Sequence, residues 1–112
     1  MKGLTDPSVS LPKVYAFSGL AFDSGSSMPM VYAKQPADAL AAALKSHPTA
    51  RIRVRSGAGV NGTTVFDQRL SLARADAIKQ MLVDRGVDVS RIETAEASTG
   101  PDAGTEIELR SR

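Results

Sequence analysis

The sequence predicts a two-layer α/β sandwich, an α+β domain of βαβαββ order with two helices on one face of a small mixed sheet. Three observations carry this. Ala50 to Ser56 alternates strictly, with Ile52 and Val54 on one side and Arg51, Arg53 and Arg55 on the other, the pattern of a strand with one buried and one wet face. Two longer alanine-rich segments carry apolar residues at helical spacing. Clusters of Gly, Pro, Ser and Asn separate these segments from their β-prone neighbours and read as turns.

The elements follow in order. Residues 1–12 are polar and proline-containing and are expected as a flexible leader, with the domain proper at 13–112. Val14 to Phe22 is aromatic and β-prone, the first strand. Asp23 to Pro29 is a turn. A helix fits between Met30 and Ser46, best over Ala37 to Lys45, where Leu40 and Leu44 share a face at i,i+4. His47-Pro48 ends it, because the residue before proline is pushed out of helical geometry. Ala50 to Ser56 is the second strand, and Gly57 to Gly62 a loop. The second helix runs from Val65 to Arg85. Phe66, Leu70, Ala73, Ala77 and Met81 fall on one face, which is the expected buried stripe. Gly86 stands where a left-handed C-terminal cap belongs. Arg91 to Ala97 is the third strand, with Ile92 inward. After a turn at Ser98 to Gly104, Glu106 to Arg110 is the fourth, with Ile107 and Leu109 inward and Glu106 and Glu108 outward.

Composition excludes several functions. With no cysteine there is no disulfide framework, thiolate metal site or thiol catalysis. His47 is the single histidine, so there is no histidine metal cluster, and no Ser-His-Asp triad unless His47 is its base. No catalytic set can be assembled, no cofactor is called for, and the domain reads as a binding module and not an enzyme. Fourteen basic against twelve acidic residues is too balanced for a dedicated nucleic-acid binder. Aromatics at 4% leave few rings for stacking bases. No apolar run reaches the ~20 residues of a membrane helix. Met1 to Leu11 carries Asp6 and Pro7 where a signal peptide is apolar, so if the protein is exported its signal or anchor is expected outside this chain.

Two motifs carry chemistry. Gly57-Ala58-Gly59-Val60-Asn61-Gly62 spells G-x-G-x-x-G between a strand and a helix. A dinucleotide site also needs an acid at the end of the following strand. Asp84, at the right distance, falls in the last turn of the helix, so the segment reads as an ordinary strand-to-helix loop. The arginine stripe of the second strand reads as a solvated face paired with Glu93, Glu106 or Glu108 on neighbouring strands.

The run Arg53-Val-Arg-Ser-Gly-Ala-Gly59, then Phe66-Asp67-Gln-Arg-Leu70-Ser71-x-x-Arg74-Ala75, then Gly86-Val87-Asp-x-Ser-Arg91-Ile92, resembles the OmpA-like C-terminal domain. The family pattern is a strand, G-H-T-D-x-x-G, an aromatic-Asn followed by L-S-x-x-R-A, and G-V-x-x-x-R-I. The match is ungapped from Ala50 to Ile92. Phe22-Asp23-Ser24 and the helix ending in His47-Pro48 extend it to roughly 14–110. The resemblance implies noncovalent attachment to peptidoglycan in the bacterial periplasm, as part of a larger or anchored envelope protein. In the family an Asp and an Arg grip the zwitterionic end of the stem-peptide diamino acid. A guanidinium takes the carboxylate in charge-assisted hydrogen bonds, and a carboxylate takes the ammonium.

Arg74 matches the family's arginine. The acid does not match: G-H-T-D has become Ser56-Gly57-Ala58-Gly59, and Gly59 stands at the Asp position. The family's late N-R-R is replaced by Gly104-Thr105-Glu106. The expected ligand-binding set is therefore Arg74, Asp67, Gly59, Gly57, Ala58 and Asp23. Asp67 has two readings, a substitute acid or a helix cap in the box Thr64-x-x-Asp67. The whole domain also has two, a peptidoglycan anchor or a degenerate scaffold for envelope protein partners. Arg74 is expected at the margin of the helix's apolar face, its stem packed and its head toward the 57–62 loop, so that truncation costs no more than ~0.5 kcal/mol.

Overall fold

The computed structural model of the 112-residue chain describes residues 2–17, 19–20, 22, 27–29, 33–57, 65–96 and 104–112, without the side chains of 2 and 65–67. The elements are β1 (Lys13–Ala16), α1 (Lys34–Ser46), β2 (Arg51–Ser56), α2 (Val65–Asp84), β3 (Ile92–Ala95) and β4 (Thr105–Ser111). This is the expected βαβαββ order. The sheet runs β1-β4-β2-β3. Because β4 is antiparallel to both β1 and β2, those two strands are parallel to each other with β4 inserted between them. The strands β2 and β3 pair directly and in parallel, so α2 is their crossover. A sheet with an antiparallel strand at its middle is not the parallel sheet of a dinucleotide fold.

The registers place Ile52, Val54, Ile92, Ile107 and Leu109 on one face. They form a single buried cluster with Ala37, Leu40, Ala41 and Leu44 of α1 and Ala75, Ile78 and Leu82 of α2. Each large aliphatic side chain removed from water here contributes about 1.5–3 kcal/mol of transfer free energy. The arginines of β2 project from the other face, as the alternation requires. There Arg53 meets Glu93 at 3.2 Å and Glu108 at 3.7 Å, and Arg55 and Arg110 reach Glu108 at 3.6 and 2.9 Å. Glu108 is outward as expected, yet three guanidinium groups cover it almost completely.

Three expectations need correction. The first strand ends at Ala16, not Phe22. The Leu20 amide donates back to the Phe17 carbonyl at 3.0 Å, a turn that takes Leu20 into the core away from the sheet ladder. The third strand begins at Ile92, because Val89–Arg91 forms a 3-10 turn capped by Asp88. The buried stripe of α2 is Ser71, Arg74, Ala75, Ile78 and Leu82, while Leu70, Ala73, Ala77 and Met81 are half-buried. The helix is rotated by about one residue, roughly 100°, from the face that apolar residues alone select. Two polar residues, Ser71 and Arg74, are turned inward by hydrogen bonds that an apolar count cannot register. Described residues of the N-terminal segment also contact the end of the sheet. Leu4 joins the core, the Gly3 amide donates to the Tyr15 hydroxyl at 2.8 Å, and the Arg112 guanidinium donates to the carbonyls of Gly3, Asp6 and Val9.

Gly86 has φ of +96° and closes α2. Its amide donates to the Val83 carbonyl at 3.0 Å, and the Val87 amide to that of Leu82 at 3.1 Å. Those two bonds define a Schellman cap, with Val87 and Leu82 both buried beneath it.

Candidate functional site

The end of β2, the start of β4 and the second turn of α2 converge on a small buried polar cluster. Ser71 lies on the inward face of α2, and its hydroxyl donates to the Ser56 carbonyl at 2.7 Å. Three residues on, one turn further along the same face, Arg74 donates from Nη1 to the Gly57 carbonyl at 2.6 Å. The two side chains thus hold successive carbonyls where β2 runs out into the loop. Across the sheet Ser56 is the register partner of Thr105, and their hydroxyl oxygens are 3.1 Å apart. Thr105 gives its one proton to the Leu20 carbonyl at 2.5 Å, so the Ser56 hydroxyl is the donor to Thr105. The Gly57 amide donates to the Gly104 carbonyl at 3.2 Å, extending the β2–β4 pairing into the two loop bases.

Arg74 is 4% exposed. Its guanidinium carbon stands over the Phe22 ring, 5.2 Å from the centroid, a cation–π contact. Burial away from water pushes its pKa below the usual arginine value. An arginine with so high a starting value stays charged in this setting. The site is therefore a fixed positive charge at the end of β2, with Nη1 held on the Gly57 carbonyl. A guanidinium suits a carboxylate.

The structure brings together two of the six residues expected at the site. Arg74 reaches the Gly57 carbonyl, and it lies in the interior and not at a margin. Gly57 is buried and accepts the Arg74 hydrogen bond. Asp23, Ala58 and Gly59 lie outside the described residues, and so does the Asp67 side chain, although its backbone belongs to α2. Sequence reasoning missed Ser56, Ser71, Thr105 and Phe22. For Ser71 a signal existed: a serine and an arginine three apart share a helix face, and here that face also carries Ala75, Ile78 and Leu82. Among the described residues no group of acidic or histidine side chains is placed to hold a metal ion, and no helix is long and apolar enough to cross a membrane.

The OmpA family profile matches residues 21–110 of this chain. The chain belongs to the OmpA family. Solved structures of similar fold include the periplasmic domain of Helicobacter pylori MotB, at 16% identity and a TM-score of 0.74, covering 92% of this chain and 83% of that one. The peptidoglycan-associated lipoprotein of Burkholderia pseudomallei is 24% identical with a TM-score of 0.66, covering 96% and 97%. The OmpA-like domain of FopA1 from Francisella tularensis is 18% identical with a TM-score of 0.65, covering 80% and 70%. A comparison with curated protein sequences gives no match. The L-S-x-x-R-A segment that carried the OmpA resemblance is the stretch of α2 that contributes Ser71 and Arg74 to the polar cluster.

Proposed function

We propose that this domain is a non-enzymatic, noncovalent peptidoglycan-binding module of the bacterial cell envelope, working in the periplasm, with the Arg74 guanidinium receiving the carboxylate of the stem-peptide diamino acid. The observation that carries the reading is the placement of Arg74: buried and anchored to Gly57 at the end of β2. Loop amides near the start of α2 would add donors for the same carboxylate. The ammonium end lacks the family's acid, since Gly59 replaces it, and Asp67 or Asp23 would take that role. A site of this kind favours the anion. Loss of one member of a desolvated charge pair costs about 2–5 kcal/mol, so binding should be weaker than in a complete site by about one and a half to three and a half orders of magnitude, at ~1.4 kcal/mol per tenfold.

The glycine at position 59 also supports a second reading, a degenerate domain that serves as a scaffold for envelope protein partners. Pull-down with purified sacculi, followed by titration with a diaminopimelate-containing stem peptide, separates the two. The anchor reading expects retention on sacculi, its loss in Arg74→Lys, and tighter peptide binding in Gly59→Asp. Absence of wild-type retention, or no gain from Gly59→Asp in a folded variant, favours the scaffold.

A further inference from the structure

Arg74 touches two segments that lie far apart in the sequence, and one residue ties them together. Gly57, whose carbonyl takes the Arg74 Nη1, follows the last residue of β2. Phe22, whose ring centroid is 5.2 Å from the guanidinium carbon, stands two residues after Leu20. Thr105, at the start of β4, holds both sides. Its hydroxyl donates to the Leu20 carbonyl at 2.5 Å and accepts from the Ser56 hydroxyl at 3.1 Å. Its carbonyl takes the Phe17 amide at 2.8 Å, and the Leu20 amide closes back on the Phe17 carbonyl at 3.0 Å. The turn from Phe17 to Leu20 is thus fastened at both ends to a single residue. Ser56, Thr105 and Leu20 are all buried, where a polar group left unpaired is costly.

The Gly57 carbonyl and the Phe22 ring both stay in contact with Arg74 only while their segments keep one spacing. The relay from Ser56 through Thr105 to Leu20 sets that spacing with a single hydroxyl, and each bond in such a chain polarises the next. The β2 side is also fixed by backbone, since the Gly57 amide donates to the Gly104 carbonyl at 3.2 Å. Without the hydroxyl, the Phe17 end of the turn would keep its backbone bond to β4. The Leu20 end, nearer to Phe22, would lose this one. We propose that Thr105 is a positioning residue for this site: its hydroxyl holds the segments that carry Gly57 and Phe22 in register, so that Arg74 is correctly placed to meet the carboxylate of a peptidoglycan stem peptide. This rests on the peptidoglycan reading above. Valine at position 105 would keep the shape and lose the hydroxyl, whereas serine would keep the hydroxyl and lose a methyl group.

The test uses the full chain, a soluble stem peptide ending in diaminopimelate, and the variants Thr105→Val, Thr105→Ser and Ser56→Ala. Thr105→Val should bind the peptide about fivefold more weakly, and Thr105→Ser within about twofold of wild type. Ser56→Ala cuts the same relay from the β2 side and should lose about threefold. Gly86→Ala, strained beyond the far end of α2, should bind as wild type does, which separates positioning from a general loss of stability. The Arg74 Nε–Hε NMR signal gives a readout without ligand. It should move in Thr105→Val and keep its wild-type position in Thr105→Ser. Wild-type affinity in Thr105→Val, an unmoved Arg74 signal there, equal loss in Thr105→Val and Thr105→Ser, or a matching loss in Gly86→Ala overturns the positioning role and leaves the peptidoglycan reading standing. If Thr105→Val does not fold, wild-type affinity in Ser56→Ala overturns it instead. If wild type itself does not bind the peptide, the peptidoglycan reading fails and this role falls with it.

Discussion

Truncating Arg74 to alanine should unsettle the fold as well as the site. The side chain is 4% exposed, donates to the Gly57 carbonyl at 2.6 Å and sits 5.2 Å from the Phe22 centroid. A hydrogen bond from a charged donor is worth about 1.5–3 kcal/mol. The ring contact adds about 1 kcal/mol at a site shielded from water. Against these stands the cost of holding a charge out of water, the same burial that lowers the Arg74 pKa. The net expected loss is about 2 kcal/mol, several times the ~0.5 kcal/mol of an exposed arginine. For a domain of 112 residues each kcal/mol moves the melting midpoint by about 4 °C, so Arg74→Ala should melt about 8 °C below wild type. Arg74→Met, which keeps the length of the stem and loses the donor, should fall between the two. Thermal and urea unfolding followed by circular dichroism measure this directly. A midpoint within about 2 °C of wild type would refute the placement of Arg74 as an interior strut. Sacculus binding by this variant has to be read at a temperature where it is folded, and Arg74→Lys is the better probe of recognition.

Ser71→Ala removes the 2.7 Å bond to the Ser56 carbonyl and should cost about 1 kcal/mol, seen as a melting point about 4 °C lower. At Gly86→Ala an added Cβ meets nothing nearer than the Lys45 amine at 3.6 Å, so its cost comes from φ of +96°. About 1 kcal/mol should be lost in a denaturant titration with an unchanged m-value. The Asp88 carboxylate accepts first from the Ser90 amide and then from the Ser90 hydroxyl, which hold its pKa below the ordinary aspartate value. Its stabilising effect is therefore present above the unfolded-state pKa and is lost as pH falls through the lower folded value. The stability curves of wild type and Asp88→Ala should converge in acid, and a carboxyl NMR titration should give a depressed midpoint for Asp88.

The sheet was legible because its alternation is strict: Ile52 and Val54 could only face one way once the arginines faced the other. The end of α2 was legible from Gly86 alone. The inward face of α2 was not, because burial there follows hydrogen bonds from Ser71 and Arg74 to the end of β2, and those depend on a tertiary contact. The β1 boundary failed for a related reason. Phe17 and Phe22 favour a strand, but Ser18-Gly19 between them is a turn signal, and the Thr105 hydroxyl and the Leu20 amide hold the chain in a turn. At the site, Arg74 was legible through the motif around it, and Gly57 through its place in the loop. Phe22 was visible only as part of the Phe22-Asp23-Ser24 match, and nothing local in the sequence joined it or Thr105 to Arg74.

The insertion of β4 between β1 and β2 bears on how the domain is built during synthesis. The central strand is the last element in chain order, and it supplies the neighbour of β1, from residues about ninety positions earlier. Until Thr105–Ser111 has left the ribosome, β1 has no strand to join, and β2 has only β3. Local elements can form early, but the sheet closes through long-range pairing, which is slow to nucleate. A nascent chain of this domain therefore stays open until its final strand arrives. Deleting that strand would split the sheet through its middle, whereas deleting a strand at either edge would leave the remaining three hydrogen-bonded as one.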